Sequence, residues 1–211
     1  LKSVTLVAYG YLLDYEPGQA LAETLSNKTF GLRLDGGYTP SNLPAKFLYS
    51  VEYAQQSDHA NGADTVDGSY NYVMLGTEVQ GVQIKLHYEL LSGDSNYGFA
   101  TPLATLHAFN GWADKFLTTP KDGIEDIFLS AGLPLAGINV LAAYHHYRAD
   151  NMAYDYGSEL NFMLAKKLNK LLSVSLKYAA YSGEANINTT TRNPALSTDL
   201  DKVWLQADLQ F

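Results

Sequence analysis

The decade VQIKLHYELL (82–91) places Val82, Ile84, Leu86, Tyr88 and Leu90 on alternate positions, with Gln83, Lys85, His87 and Glu89 between them. Two-residue periodicity is the strand period, in which successive side chains point to opposite faces. One face of this segment must be dry and the other wet. The same pattern recurs at 30–38 (Phe30, Leu32, Leu34 against Arg33, Asp35), 47–54 (Phe47, Tyr49, Val51, Tyr53 against Ser50, Glu52) and 172–181 (Leu172, Val174, Leu176, Tyr178 against Ser173, Ser175, Lys177). It recurs again at 203–211 and at 156–164, where Tyr156, Leu160 and Phe162 oppose Glu159 and Asn161. Residues 2–14 and 69–79 are β-rich without clear faces, and 127–133 and 138–147 read as two further strands. The chain is therefore expected to be all-β, with about ten strands.

The dry side is either a protein core or lipid. Charged residues make up only 17% of the chain, below the roughly 25% of an average soluble domain. The mean hydropathy, −0.14, suits a barrel wall as well as a soluble protein, because a lipid face and a wet face average out. No run of about 18 apolar residues is present, which excludes a membrane-crossing helix from the sequence. The connections separate into two classes. Those at 15–27, 57–68, 93–123 and 183–199 are long, those at 39–44, 80–81, 134–137 and 166–170 are short, and they alternate; 149–152 is the exception. Outer-membrane barrels have long extracellular loops and short periplasmic turns. Tyrosine, 16 residues in all, gathers towards strand ends (Tyr9, Tyr11, Tyr15, Tyr38, Tyr144, Tyr147, Tyr178, Tyr181), as interfacial girdles require. The expected architecture is an antiparallel up-and-down transmembrane β-barrel in the bacterial outer membrane, lying against its lipid. Backbone groups in hydrocarbon must all be paired, so the sheet must close. It closes either on its own ten strands or as part of a larger barrel of about 16–18 strands. Leu1 lies close to the first strand, which fits a mature form or a fragment. Phe211 ends an alternating strand on an aromatic, the kind of terminus that barrel-insertion machinery reads.

The polar positions Arg33, Glu52, Lys85, Glu89, Glu159, Lys177 and Asp208 are then pore-lining candidates that set charge preference. The 93–123 connection is unusually apolar for an external loop. Thr101–Pro102 reads as a helix start, with Leu103, Leu106 and Phe109 at helical spacing and Asn110–Gly111 as the stop. It is expected to cap the other loops or to fold into the lumen as a constriction carrying His107, Trp112, Asp114 and Lys115.

Other chemistries find less support. With no cysteine, disulfides and thiolate chemistry are absent. A net charge of −8 argues against nucleic acid, which calls for a basic stripe. A barrel protease would use His107, Asp114, Asp94 and Asp122; a lipase would use Ser130 with His145 or His146, but no nucleophile motif surrounds Ser130. Adjacent His145 and His146 point to opposite faces, which disfavours a metal site. DHANGADTVDG (58–68) misses the EF-hand spacing. KKLNK (166–170) reads as a solvated turn, and NINTTTRNPALST (186–198) as a polar loop. No cofactor is called for, and the chain is not expected to be an enzyme.

The stretch TPLATLHAFNGWADKFLTTPKDGIEDIFLS (101–130) resembles the signature region of alginate-export-type outer-membrane porins. A looser likeness runs from AYGYLLDYE (8–16) through FGLRLDGGY and YSVEYAQQSD (49–58) to the C-terminus. The resemblance implies a larger barrel of around 18 strands, of which this chain is a C-terminal half, and a channel for small hydrophilic solutes. A polyanion conduit calls for Arg and Lys. With three Arg in the chain (Arg33, Arg148, Arg192), a neutral or cationic solute fits at least as well as alginate. The alternative is a small closed barrel with a binding, adhesion or structural role.

Overall fold

A computed structural model describes residues 2–19, 21–105, 107–184 and 194–211. Ten strands run in chain order: β1 (Lys2–Leu13), β2 (Asn27–Tyr38), β3 (Lys46–Asp58), β4 (Asp67–Val79), β5 (Val82–Leu91), β6 (Ile124–Leu135), β7 (Ile138–Arg148), β8 (Asp155–Lys167), β9 (Leu172–Gly183) and β10 (Leu200–Leu209). They form one antiparallel sheet in which every strand pairs with its sequence neighbour. β1 and β10 are the two edges and do not pair with each other among the described residues. The ten strands thus leave an open sheet, and closure on their own is not the arrangement found. The only helical pieces described are α1 (Ala22–Leu25) and a 3₁₀ turn at Pro194–Ser197. No described helix is long and apolar enough to cross a membrane.

A meander puts alternate connections at opposite ends. The segments 14–26, 59–66, 92–123, 149–154 and 184–199 share one end, and 39–45, 80–81, 136–137 and 168–171 share the other. The tight pair Gln80–Gly81 has φ of 52° and 84°, and Ala136–Gly137 has 50° and 76°. These are the left-handed values of type I′ hairpin turns, whose twist matches that of the flanking strands.

The two faces differ sharply. One presents Leu6, Leu32, Val51, Leu75, Leu86 and Leu129, of which Leu75, Leu86 and Leu129 are direct cross-strand partners, and all six are exposed. Leu205 on β10 is 84% exposed. Charged residues on this face (Lys28, Asp67, Glu125, Arg148, Lys166, Asp201) lie within two residues of a strand end. Its central belt is free of them. The other face carries the polar halves of the strands and is covered by the 92–123 segment.

Two sequence readings need correction. The pairing slips between Tyr147 and Arg148, a β-bulge that inserts one residue into β8. Tyr156 is thereby turned away from Leu160 and Phe162 and becomes fully buried on the covered face, its hydroxyl donating to the Gly123 carbonyl. Tyr9, Tyr11, Tyr147 and Tyr181 also point to the covered face, so they are not girdle residues; Tyr144 and Tyr178 lie on the exposed one. Gly31 permits the first of these, because a Cβ there would run into the ring of Tyr9.

Candidate functional site on the loop-covered face

Register alone assembles the site. Arg33, Glu52, Tyr72, Glu89, Asp126 and Tyr147 are successive cross-strand partners from β2 to β7, forming one transverse row. The next row towards the short turns holds Asp35, Ser50, Met74, His87, Phe128, His145, Glu159 and Tyr181. All seven sequence-predicted lining residues lie on this face. Arg33, Glu52, Glu89 and Glu159 are brought together in these two rows. Lys85 and Lys177 stand one and two rows nearer the short turns. Asp208 lies apart, near the end of β10, accepting a hydrogen bond from Gln206.

Nearly every charge in the rows has a directed partner, as burial demands. Arg33 donates to both oxygens of Asp35 (2.7 and 3.0 Å) and to Glu52 (3.0 Å). The other Glu52 oxygen accepts from the Tyr9 hydroxyl at 2.6 Å. Glu89 accepts from the Tyr70 hydroxyl (2.7 Å) and from the Asn110 amide of the loop (3.1 Å). Asp126 pairs with His145 Nδ1 at 2.8 Å. His87 lies between the Tyr72 hydroxyl (2.8 Å) and Ser130 Oγ (3.0 Å). Phe128 is stacked between His87 and His145, at centroid distances of 4.0 and 4.4 Å. The histidine facing Ser130 is thus His87, and neither His145 nor His146. His146 is turned to the opposite face, beside Asp155.

The 92–123 segment is fastened to this face by side chains that grip its backbone. Gln56 forms a reciprocal pair with Ala100, accepting from its N–H (2.8 Å) and donating to its carbonyl (3.0 Å). Glu159 accepts from the Ala113 N–H at 2.8 Å and Asn161 from the Trp112 N–H at 3.3 Å. Phe116 enters a cluster of Tyr147, Tyr156 and Tyr181 rings 4.6–6.1 Å away. The expected helix from Thr101 is replaced by turns, with Ala104 N–H bonding the Thr101 carbonyl and His107 N–H the Thr105 carbonyl. Sheet side chains grip the backbone on either side of this stretch, at Ala100, Trp112 and Ala113, and Leu103 and Phe109 stay exposed; Leu106 lies outside the described residues. Asn110 and Gly111 do turn the chain, both with positive φ. A Cβ on Gly111 would strike the Tyr147 hydroxyl and the Glu159 carboxylate.

The four predicted constriction residues all reach the β9–β10 side. His107 pairs with Asp114 (2.7 Å), which also accepts from Lys202 (2.8 Å). Burial pushes the Asp114 carboxyl up, but the hydrogen bonds from Lys202 and His107 outweigh it and hold the group below the ordinary carboxylate range. His107 lies against the Trp204 ring, and the Lys177 ammonium sits 5.2 Å from the Trp112 centroid. Lys115 donates to the Ala195 and Thr198 carbonyls, and burial lowers its ammonium pKa. Asp94 caps its own turn through the Tyr97 and Asn96 N–H groups. Asp122 accepts from Ser95 and Tyr154. Asp94 and Asp122 therefore stand apart from the His107–Asp114 pair.

Sequence reading missed Gln56, Tyr70, Tyr72 and Asp126, gave Tyr9 to a girdle, placed His87 on its strand's polar side without a role, and set His145 beside Ser130. In β4 the covered face carries Tyr70 and Tyr72, as apolar by type as Val73 and Leu75 opposite, so alternation gives no sign. The signal that existed was Asp126–Phe128–Ser130 on one parity against Ile127–Leu129 on the other.

No family model matches the chain, and no curated protein matches it.

Proposed function

We propose that the chain forms part of the wall, and the constriction loop, of a bacterial outer-membrane channel that passes small hydrophilic solutes without bond chemistry. The observation that carries this reading is the exposed, charge-free apolar belt on one face of a sheet whose other face is polar. In water such a belt is a far larger apolar surface than a monomer tolerates; against acyl chains it is the expected solvent-facing surface of a barrel. Hydrocarbon also forbids unpaired strand edges. The open edges at β1 and β10 therefore call for further strands, giving a barrel larger than ten and a bore wide enough for water. The resemblance of the 101–130 stretch supports an alginate-export type of porin. The two rows, one arginine among Asp35, Glu52, Glu89, Asp126 and Glu159 with histidines beside them, are unlike the basic lining that a polyanion needs.

The test is planar-bilayer recording with the purified whole barrel, these ten strands together with the further strands that close it. Stepwise, ohmic conductance is expected, and it should rise when residues 101–117 are deleted. A bilayer that stays sealed around correctly folded protein would refute the channel.

A further inference from the structure

A cavity of about 470 Å³ lies between the sheet and the loop, at the β1–β5 side. Its size falls in the range of ordinary small-molecule sites, roughly 300–1,000 Å³. Aromatic pairs stand on two sides of it. Tyr9 and Tyr11 come from β1, with centroids 5.6 Å apart, and Tyr70 and Phe99 from β4 and the loop, 5.9 Å apart. Strand order puts Arg33 and Glu52 between the two pairs.

The charged groups in the lining are already engaged. Arg33 is held by Asp35 and Glu52, so it offers little to an anion. Glu52 shares Arg33 and the Tyr9 hydroxyl, and both Glu89 oxygens accept hydrogen bonds, from Tyr70 and Asn110. Local hydrogen-bonding capacity remains. A guanidinium has five N–H donors, and three are engaged in the Asp35 and Glu52 bonds. Carboxylates have about four lone-pair sites each. Adjacent donors and acceptors around the Arg33–Glu52 ion pair, flanked by ring faces, match a solute that carries neighbouring hydroxyls and apolar C–H faces and brings no charge of its own.

We propose that this cavity is a binding station for a neutral saccharide, its ring lying against the tyrosines and its hydroxyls on Arg33 and Glu52. The proposal rests on the channel reading and gives that channel its solute class.

The experiment titrates maltotriose into the folded whole barrel by calorimetry and, in parallel, into the recording chamber. Saturable binding is expected. It should weaken about tenfold in Tyr11→Ala, the loss of one ring contact with the sugar, and should be unchanged in Leu205→Ala on the opposite face. Because Tyr11 is half exposed at the cavity wall, its truncation leaves the strand pairing in place. A trisaccharide of uronic acids that binds more tightly than maltotriose would overturn the proposal, as would competition by tetramethylammonium. Conductance without any maltotriose binding would overturn it while leaving the channel intact. Binding without conductance would overturn the channel, and with it the station's role in transport.

Discussion

Gly111 shows how one residue fixes the loop against the sheet. Its φ of 84° is strained for an L side chain, and its α-hydrogens face the Tyr147 hydroxyl and the Glu159 carboxylate. Gly111→Ala is expected to cost about 1–3 kcal/mol of local stability, read as faster protease cleavage within 101–117 while the strands stay protected. Asp114 adds a pH dependence. Its carboxyl is held below the ordinary range by Lys202 and His107, so the folded state binds its proton less readily than the unfolded chain. The stabilisation is present above the unfolded carboxylate value, about 4, and fades as pH falls through and below it. Loop protection measured from pH 6 to pH 3 should decline in that window, and Asp114→Asn should flatten the decline. A wild-type profile flat over that range would remove the latch.

At the scale of the element, β5 was legible from its letters alone, because Val82 to Leu90 alternate cleanly with polar residues; its bounds, Val82–Leu91, are those read from the sequence. β4 was visible as a strand but not as a pair of faces, since its covered side is built of tyrosine. β8 misled at one point, where the bulge inverts Tyr156, and no local letter announces a bulge that depends on its partner strand. The loop misled through Thr101–Pro102, a good helix start by type, because Gln56, Glu159 and Asn161 on distant strands hold the chain at Ala100, Trp112 and Ala113, and the stretch between them takes turns. Arg33, Glu52, Glu89 and Glu159 were found by parity; Asp126 was not, and nor were the hydrogen-bond partners, mostly tyrosine and histidine, because those types suit either face. Gln56 is the element-level anchor. Gln56→Leu should leave the Ala100 N–H and carbonyl unpaired, at about 1–3 kcal/mol, and hydrogen exchange at 97–101 should accelerate without change in β3. On the opposite face, Leu86→Arg should cost about 2–4 kcal/mol if it lies at the bilayer midplane, measured by refolding into vesicles.

For the whole molecule the decisive contrast is between its two faces. A single meander sheet with one charge-free exposed belt, one polar loop-bearing face and two open edges is coherent as a wall between lipid and water. It is costly as a free sheet in water, where belt and edges would both invite association. The absence of cysteine makes the contrast directly measurable. Spin labels placed one at a time at Ile84→Cys, Lys85→Cys, Leu86→Cys, His87→Cys and Tyr88→Cys, in the protein folded into vesicles, report collisions with oxygen from lipid and with a water-soluble nickel chelate. The account predicts oxygen accessibility at 84, 86 and 88 and nickel accessibility or protection at 85 and 87, alternating with period two. Nickel accessibility at 84, 86 and 88, or protection there from both reagents, would mean that this face meets water or protein, and would contradict it.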